Sequence, residues 1–283
     1  MPLVFVPTPL GNLRDVTLRA LDALREAELI VAEDTRVARK LLRGLGIEGR
    51  EIWSYREQNA DRIVPQILER ARASFVAVTS DAGMPGISDP GSELIAAARE
   101  AGLEIDVLPG PSAATGVALL SGFSLSRFAF EGFPPRTRAA RRARFAQALG
   151  ANATTIWYES PHRVAAALSD LAAVAPDARV FFVREYTKLH EQRLTGTPEQ
   201  IVRELPQPVR GEVAFAVAPY RAAPAAPSFE ATEAAIDLML AQEQRPRDIA
   251  KRLAAAGAGD RRALYLRATA RKAHQKGPIK EPS

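Results

Sequence analysis

The chain has 283 residues, 47% of them hydrophobic and 25% charged, with a net charge of +5; it reads as a water-soluble globular protein of one or two domains with a basic surface suited to a polyanionic partner. It has no cysteine, which excludes disulfides and thiol chemistry, and only three histidines, so no metal site is expected. No apolar run approaches the roughly 18 residues needed to cross a bilayer, and no basic leader precedes the strand-like start Leu3-Val-Phe-Val6, so the expectation is a cytoplasmic protein with no membrane partner.

In chain order, the first ~120 residues alternate strand and helix patterns. Strand-like runs are Leu3–Val6, Leu29–Ala32, Glu51–Ser54, Phe75–Thr79 and Glu104–Leu108. Helix patterns lie between them, one carrying Leu18, Leu21 and Leu24, one over Asn59–Arg72, and one from Ser92 that stops before Gly102. Alternation of this kind predicts an α/β fold with a parallel sheet covered on both faces, and such sheets bind ligands beyond the carboxyl ends of their strands. Those ends carry the unusual loops: "PTPLGN" from Pro7, "EDTR" from Glu33, "TSDAGMPGISDPG" from Thr79 and "PGPSAA" from Pro109. One such loop is an ordinary turn; four on one edge read as an assembled site.

A second mixed α/β unit follows. It has strand-like Phe128–Glu131, the basic helix pattern "PPRTRAARRARFAQAL", strand Thr154–Tyr158, the turn "ESPHR", a helix to about Val174, strand Val180–Val183, the segment "REYTKLHEQRLTG", a short helix near Pro198–Leu205 and a last strand Val213–Val217. The expected division is 1–124 and 125–220 as two α/β domains, 221–228 as a Pro- and Ala-rich linker, 229–273 as a helical extension and 274–283 as a basic, disordered tail. The extension has a predicted break at Gly257-Ala-Gly259 with Asp260 as N-cap, and resembles a helix-turn-helix.

Neither a G-x-x-x-x-G-K-[ST] loop nor a G-x-G-x-x-G after the first strand is present, so the site need not grip a phosphate chain. Small residues and prolines allow close, rigid backbone approach to a ligand. Asp81 and Asp89 can accept hydrogen bonds from a sugar or face a positive group. This suits a cationic nucleoside such as S-adenosylmethionine.

The segments "VPTPLGNLRDVTLRAL", "AEDTR", "SDAGMPGISDPG", "PGPSAA", "EGFPPR", "YESPHR" and "REYTK" resemble the tetrapyrrole methylase superfamily, and within it the branch that 2′-O-methylates a cytidine in the decoding region of 16S rRNA. The resemblance covers residues 3 to 220 in order. It departs at Met84, Pro134, Thr137 and Tyr186, where Thr, Leu, Lys and Leu are usual. It implies two α/β domains of the tetrapyrrole methylase type with the cofactor cleft between them, a homodimer, and 16S rRNA or the small ribosomal subunit as partner. It carries S-adenosylmethionine contacts onto Pro9, Ser80, Asp81, Ala82, Gly83, Ile87, Pro111, Ser112, Ala113, Tyr158, Ala214 and Phe215.

In the implied reaction a ribose 2′-oxygen attacks a sulfonium methyl carbon, so the enzyme must align the two and accept a hydroxyl proton. Glu33 and Asp34 are the catalytic candidates, with Asp81, Glu159 and Glu185 as further bases; either member of the pair could instead cap the next helix. Lys188 could stabilise the developing alkoxide or sit in a surface ion pair. Arg36, Arg136, Arg138, Arg141, Arg142 and Arg163 are the RNA candidates. No acid occurs between Gly132 and Tyr158, which marks the Arg136–Arg144 cluster, although charge runs are commonly solvated faces. His162, at a helix start, could touch substrate or serve a local role. The competing functions are methylation of a tetrapyrrole or corrinoid precursor, and a nucleic-acid-binding regulator built on the helix-turn-helix.

Overall fold

The computed structural model describes residues 3–220 and 228–275. Residues 221–227 of the expected linker (221–228) and 276–283 of the expected basic tail (274–283) lie outside the described residues. The chain divides into two compact units, Met1–Tyr220 and Arg221–Ser283.

The larger unit holds two five-stranded sheets. The first is built from β1 (Leu3–Phe5), β2 (Leu29–Ala32), β3 (Glu51–Ser54), β4 (Val76–Thr79) and β5 (Ile105–Val107), in the order β3-β2-β4-β1-β5 with every pairing parallel. The connecting helices are α1 (Leu18–Glu26), α2 (Thr35–Gly44), α3 (Ala60–Ala73) and α4 (Ser92–Glu100). Local chemistry starts them: the Thr17 hydroxyl accepts from the Ala20 amide at α1, and the Asp34 carboxylate accepts from the Arg36 amide at α2. Strand alternation splits the core. Leu3, Phe5, Leu29, Val31, Val76 and Val78 pack with Ile63, Ile67 and Leu94 from α3 and α4, whereas Val4, Val6, Ile30 and Ala77 pack with Ala20, Leu24 and Leu42 from α1 and α2. The sheet is thus buried on both faces, as the sequence predicts.

Helix α5 (Ala113–Leu120) leads to the second sheet, made of β6 (Phe128–Gly132), β7 (Thr154–Glu159), β8 (Val180–Arg184), β9 (Gln192–Gly196) and β10 (Val213–Val217), in the order β6-β7-β10-β8-β9. Its helices are α6 (Arg138–Gly150), α7 (Val164–Val174) and α8 (Pro198–Glu204). Trp157, Phe182 and Phe215 face α6, α7 and α8 around Phe145, Leu168 and Ile201. The opposite face, with Ile156, Phe181, Val183, Ala214 and Ala216, is covered by Ala114, Val117 and Ala118 of α5. Strand β9 was not anticipated; it is a polar edge strand pairing antiparallel with β8.

The smaller unit contains α9 (Phe229–Ala241), α10 (Pro246–Ala255) and α11 (Arg261–Gln275) around Ile236, Leu240, Ile249, Leu253 and Leu264. Two breaks interrupt these helices where the sequence marked one. The second lies at Gln242–Arg245, where Glu243 takes a φ of 61° and Pro246 restarts the helix. Asp260 caps α11, its Oδ1 accepting from the Arg262 and Ala263 amides. Arg267 pairs with Glu233, and Arg271 with Glu233 and Asp237. Among the described residues no helix is long and apolar enough to cross a membrane.

Candidate active site

The loop that follows β4 is anchored before it is shaped. Thr8 and Gly83 exchange backbone hydrogen bonds of 2.9 and 3.0 Å, the Thr8 hydroxyl donates to the Ser80 carbonyl at 3.2 Å, and the Ser80 hydroxyl donates to the Gly83 carbonyl at 3.2 Å. Gly83 takes a φ of +82°, and a Cβ there would stand 3.0 Å from Leu10 Cδ2 and 3.6 Å from the Pro111 carbonyl. The loops after β1, β4 and β5 therefore meet at a point where a side chain would have to displace Leu10.

This wall bounds a cleft of about 430 Å³ lined by residues of both sheets. From the first half come Leu10, Glu33, Asp81, Ala82, Gly83, Met84, Ile87, Ser88, Asp89, Ser112 and Ala113; from the second come Phe133, Tyr158 through Pro161, Val183, Tyr186 and Gly211 through Ala214. Of the residues expected to contact cofactor, Asp81, Ala82, Gly83, Ile87, Ser112, Ala113, Tyr158 and Ala214 line it. Pro9 and Ser80 are buried behind the wall, and Pro111 stands behind Gly83 with its carbonyl toward that residue. The Phe215 side chain faces away: on a strand where Ala214 faces the cleft, the next residue must point to the opposite side, and Phe215 stacks on Trp157 with ring centroids 6.3 Å apart.

The cleft is acidic. Glu33, Asp81, Asp89 and Glu212 all line it. Burial, then the Glu33 and Asp81 charges, push the Asp89 carboxyl up to about 7. Burial followed by the charge of Asp81 raises Glu33, and burial also raises Asp81. Mutual repulsion among carboxylates at a partly desolvated wall is relieved by an entering cation. Burial drives the Tyr158 phenol up to about 12, so it remains neutral. A cationic nucleoside fits these residues: small atoms at Ala82, Gly83 and Ala113 permit close approach, and the carboxylates match the charge. Among the described residues no cluster of His, Cys, Asp and Glu is arranged to hold a metal.

The catalytic candidates separate. Asp34 does not line the cleft; it caps α2, and its side chain accepts from Arg36 Nε and Nη2 at 3.0 and 2.6 Å, hydrogen bonds that hold the carboxyl well below the usual range. Glu33 faces the cleft with a raised pKa. Lys188 Nζ donates to Glu185 at 2.9 Å and Glu212 at 3.0 Å; burial works against the ammonium, but these bonds outweigh it and raise its pKa. Beside it Tyr186 extends to the cleft over Gly116, where a Cβ would lie 2.7 Å from the Tyr186 ring, so the departure at 186 has its space at 116.

The arginines separate too. Arg141 is only 6% exposed and binds Asp170 through Nε at 2.9 Å and through Nη2. Arg138 and Arg142 reach the same carboxylate at 3.2 and 2.7 Å. Three guanidinium groups thus share the single carboxylate that α7 supplies, which leaves the helix positive but commits buried Arg141 to the protein and corrects the expectation of a phosphate contact there. Arg163 donates to the Pro134 and Pro135 carbonyls at 2.6 and 3.4 Å and pairs at 3.0 Å with buried Glu159, so it too is committed to the protein. Arg36 is exposed although bonded to Asp34, and Arg136 is exposed with no acidic partner among the described residues. His162 is exposed. Asp89, read from the sequence as a hydrogen-bond acceptor, lines the cleft, and so do Met84, Ser88, Phe133, Tyr186 and Glu212, which the expected site did not include; of these, Met84 and Ser88 lie in the "SDAGMPGISDPG" loop, Phe133 in "EGFPPR" and Tyr186 in "REYTK", whereas Glu212 carries no local signal.

Comparison with known proteins agrees with this geometry. The family model of Tetrapyrrole (Corrin/Porphyrin) Methylases matches residues 2–202. A Ribosomal RNA small subunit methyltransferase I from Thermotoga maritima is 41% identical over 201 residues, 71% of this chain and 90% of that protein. One from Mycobacterium tuberculosis is 38% identical over 269 residues, 93% of each. Among solved structures, diphthine synthase superposes with a TM-score of 0.63 at 18% identity, covering 77% of this chain and 90% of that one. Cobalt precorrin-4 methyltransferase, a cobalamin biosynthetic enzyme, gives 0.60 at 16%, covering 77% and 94%; at these identities the likeness speaks to fold alone. The chain belongs to the tetrapyrrole methylase family and, within it, to the ribosomal RNA small subunit methyltransferase I group.

Proposed function

We propose that this enzyme methylates the 2′-oxygen of a cytidine ribose in the decoding region of 16S rRNA, acting as a homodimer in the cytoplasm on the rRNA or the small subunit. The observation that carries the reading is the acidic cleft between the two sheets, in a chain whose relatives are named for ribosomal RNA small subunit methylation. S-adenosylmethionine, when bound, supplies a methyl carbon activated by a positive sulfur. Ala82, Gly83, Ala113 and Ala214 offer it a close-fitting wall, and Asp81, Asp89 and Glu212 offer it opposite charge. Alignment of the ribose oxygen by such a cleft can supply roughly 7–11 kcal/mol of the barrier.

Glu33 is the proposed proton acceptor. It faces the cleft with a raised pKa, whereas Asp34 is engaged by Arg36 and its lowered pKa makes it a poor base. Lys188, held by Glu185 and Glu212, is proposed to brace the acidic edge, and Asp34 to orient Arg36. Arg36 and Arg136, with the outer faces of Arg138 and Arg142, are the proposed phosphate contacts. Exposed Leu119, Phe128 and Leu189 supply apolar surface that a second copy would cover.

Methyl-labelled S-adenosylmethionine incubated with the purified chain and small subunits, naked 16S rRNA or a corrinoid precursor tests the reading. Label is expected in 16S rRNA at a position that resists alkaline hydrolysis. Label in the corrinoid precursor alone would overturn it.

A further inference from the structure

Phe133 is an aromatic side chain that the fold does not bury. It is 52% exposed, yet it lines the mouth of the cleft beside Tyr158. Among the described residues its one ring contact is with Tyr158, centroids 5.9 Å apart and planes at 70°, and Tyr158 is in turn wedged against Phe130 at 4.8 Å and 65°. The backbone around it is held tightly. Gly132 turns the chain at a φ of +67°, Pro134 and Pro135 fix the next two residues, and Arg163 Nη2 ties down both proline carbonyls. Arg163 is itself held by Glu159, whose side chain is fully buried and whose Oε1 accepts from the Ser160 amide at 2.7 Å. A rigid loop that presents a half-open ring at the edge of a reaction cleft gains nothing for the folded state from that open surface. It suits a flat apolar ligand that arrives from solvent.

We propose that Phe133 is the platform on which a base of the substrate RNA stacks as the target ribose enters the cleft, and that Arg163 is the positioning residue that holds this platform. The inference rests on the RNA-methylating reading above. Sequence-specific recognition of RNA relies on unstacked bases laid on aromatic side chains, and enzymes acting on a single nucleotide draw it out of its stack. Arg136, three residues further on, is exposed and free of acidic partners among the described residues, and is the cation this loop offers to the phosphate of such a nucleotide.

The test measures single-turnover methyl transfer against substrate concentration for Phe133→Ala, Phe133→Leu and Phe133→Tyr, with calorimetry of S-adenosylmethionine binding and light scattering on each. Base stacking on an aromatic side chain is worth enough that its loss should raise the half-saturating RNA concentration roughly 5- to 150-fold in Phe133→Ala. Phe133→Leu should fall near Phe133→Ala and Phe133→Tyr near wild type, and cofactor affinity should move far less than the RNA value in all three. Arg163→Lys should raise the same concentration in the wild-type background and add little to Phe133→Ala, a non-additivity that general destabilisation does not produce. Wild-type activity on RNA with an unchanged value in Phe133→Ala overturns this inference and leaves the RNA reading standing. Absence of transfer to RNA by the wild type takes down both. Dissociation of a dimer by Phe133→Ala overturns the platform in favour of a contact between copies.

Discussion

The charge state of Asp89 gives a pH experiment whose sign is fixed by the structure. Burial and the neighbouring Glu33 and Asp81 charges raise its carboxyl to about 7, so below neutral pH it is mostly protonated. A cationic ligand favours the ionised form, hence affinity for S-adenosylmethionine should climb as pH rises through 7. With that pKa the ionised fraction goes from about a tenth at pH 6 to about nine-tenths at pH 8, so the affinity gain has a ceiling of about ten-fold. The demethylated product has an uncharged sulfur and should show a much flatter profile. Asp89→Asn should flatten the S-adenosylmethionine profile to match. Stability of the ligand-free chain carries the opposite sign: between about pH 4 and 7 the unfolded carboxyl is ionised while the folded one holds its proton, so stability falls as pH rises, and Asp89→Asn should remove that slope. Calorimetric titration of both ligands at pH 6, 7 and 8 decides the matter. Equal slopes for the two ligands, or a slope that survives Asp89→Asn, would refute the argument.

Other perturbations have equally definite outcomes. Gly83→Ala must hold a side chain at a φ of +82° against Leu10, and should cost about 1–2 kcal/mol in urea unfolding besides weakening cofactor binding. Asp170→Ala leaves Arg141 buried without its partner, and a loss of about 3–5 kcal/mol is expected by the same method. Glu33→Gln should slow single-turnover methyl transfer by about 10²–10⁴ with cofactor affinity retained, while Asp34→Asn, which still caps α2, should change it little. Arg136→Ala should reduce the slope of log affinity against log salt for RNA by about 0.7–0.9, whereas Arg141→Ala should appear in stability instead.

The elements most legible in the sequence were those whose signals are local. β10 is an unbroken apolar run and was read at its observed limits, and the Asp260 cap follows from a short polar residue between two helical patterns. Strand β9 escaped because its residues are polar and its partner β8 supplies the apolar contacts. The side of the strand on which Phe215 lies was available from two-residue alternation once Ala214 was given to the cleft. The fate of Arg138, Arg141 and Arg142 was not available, because Asp170 lies on another helix and its position is a product of the fold. Phe133 escaped for the same kind of reason: no neighbour in sequence tells that Arg163 and Glu159 will stiffen its loop.

Helix α5 follows β5 in the chain, yet it is the cover of the second sheet, laying Ala114, Val117 and Ala118 on Ile156, Phe181 and Val183. Ser112 and Ala113 at its start line the cleft. A fragment beginning at 125 would therefore expose an apolar sheet face, and one ending at 124 would carry a helix with nothing to cover. The two halves should melt in a single transition. Cofactor at 100 times its dissociation constant should raise that transition for both together, by about 2.7 kcal/mol, and not for one sheet alone.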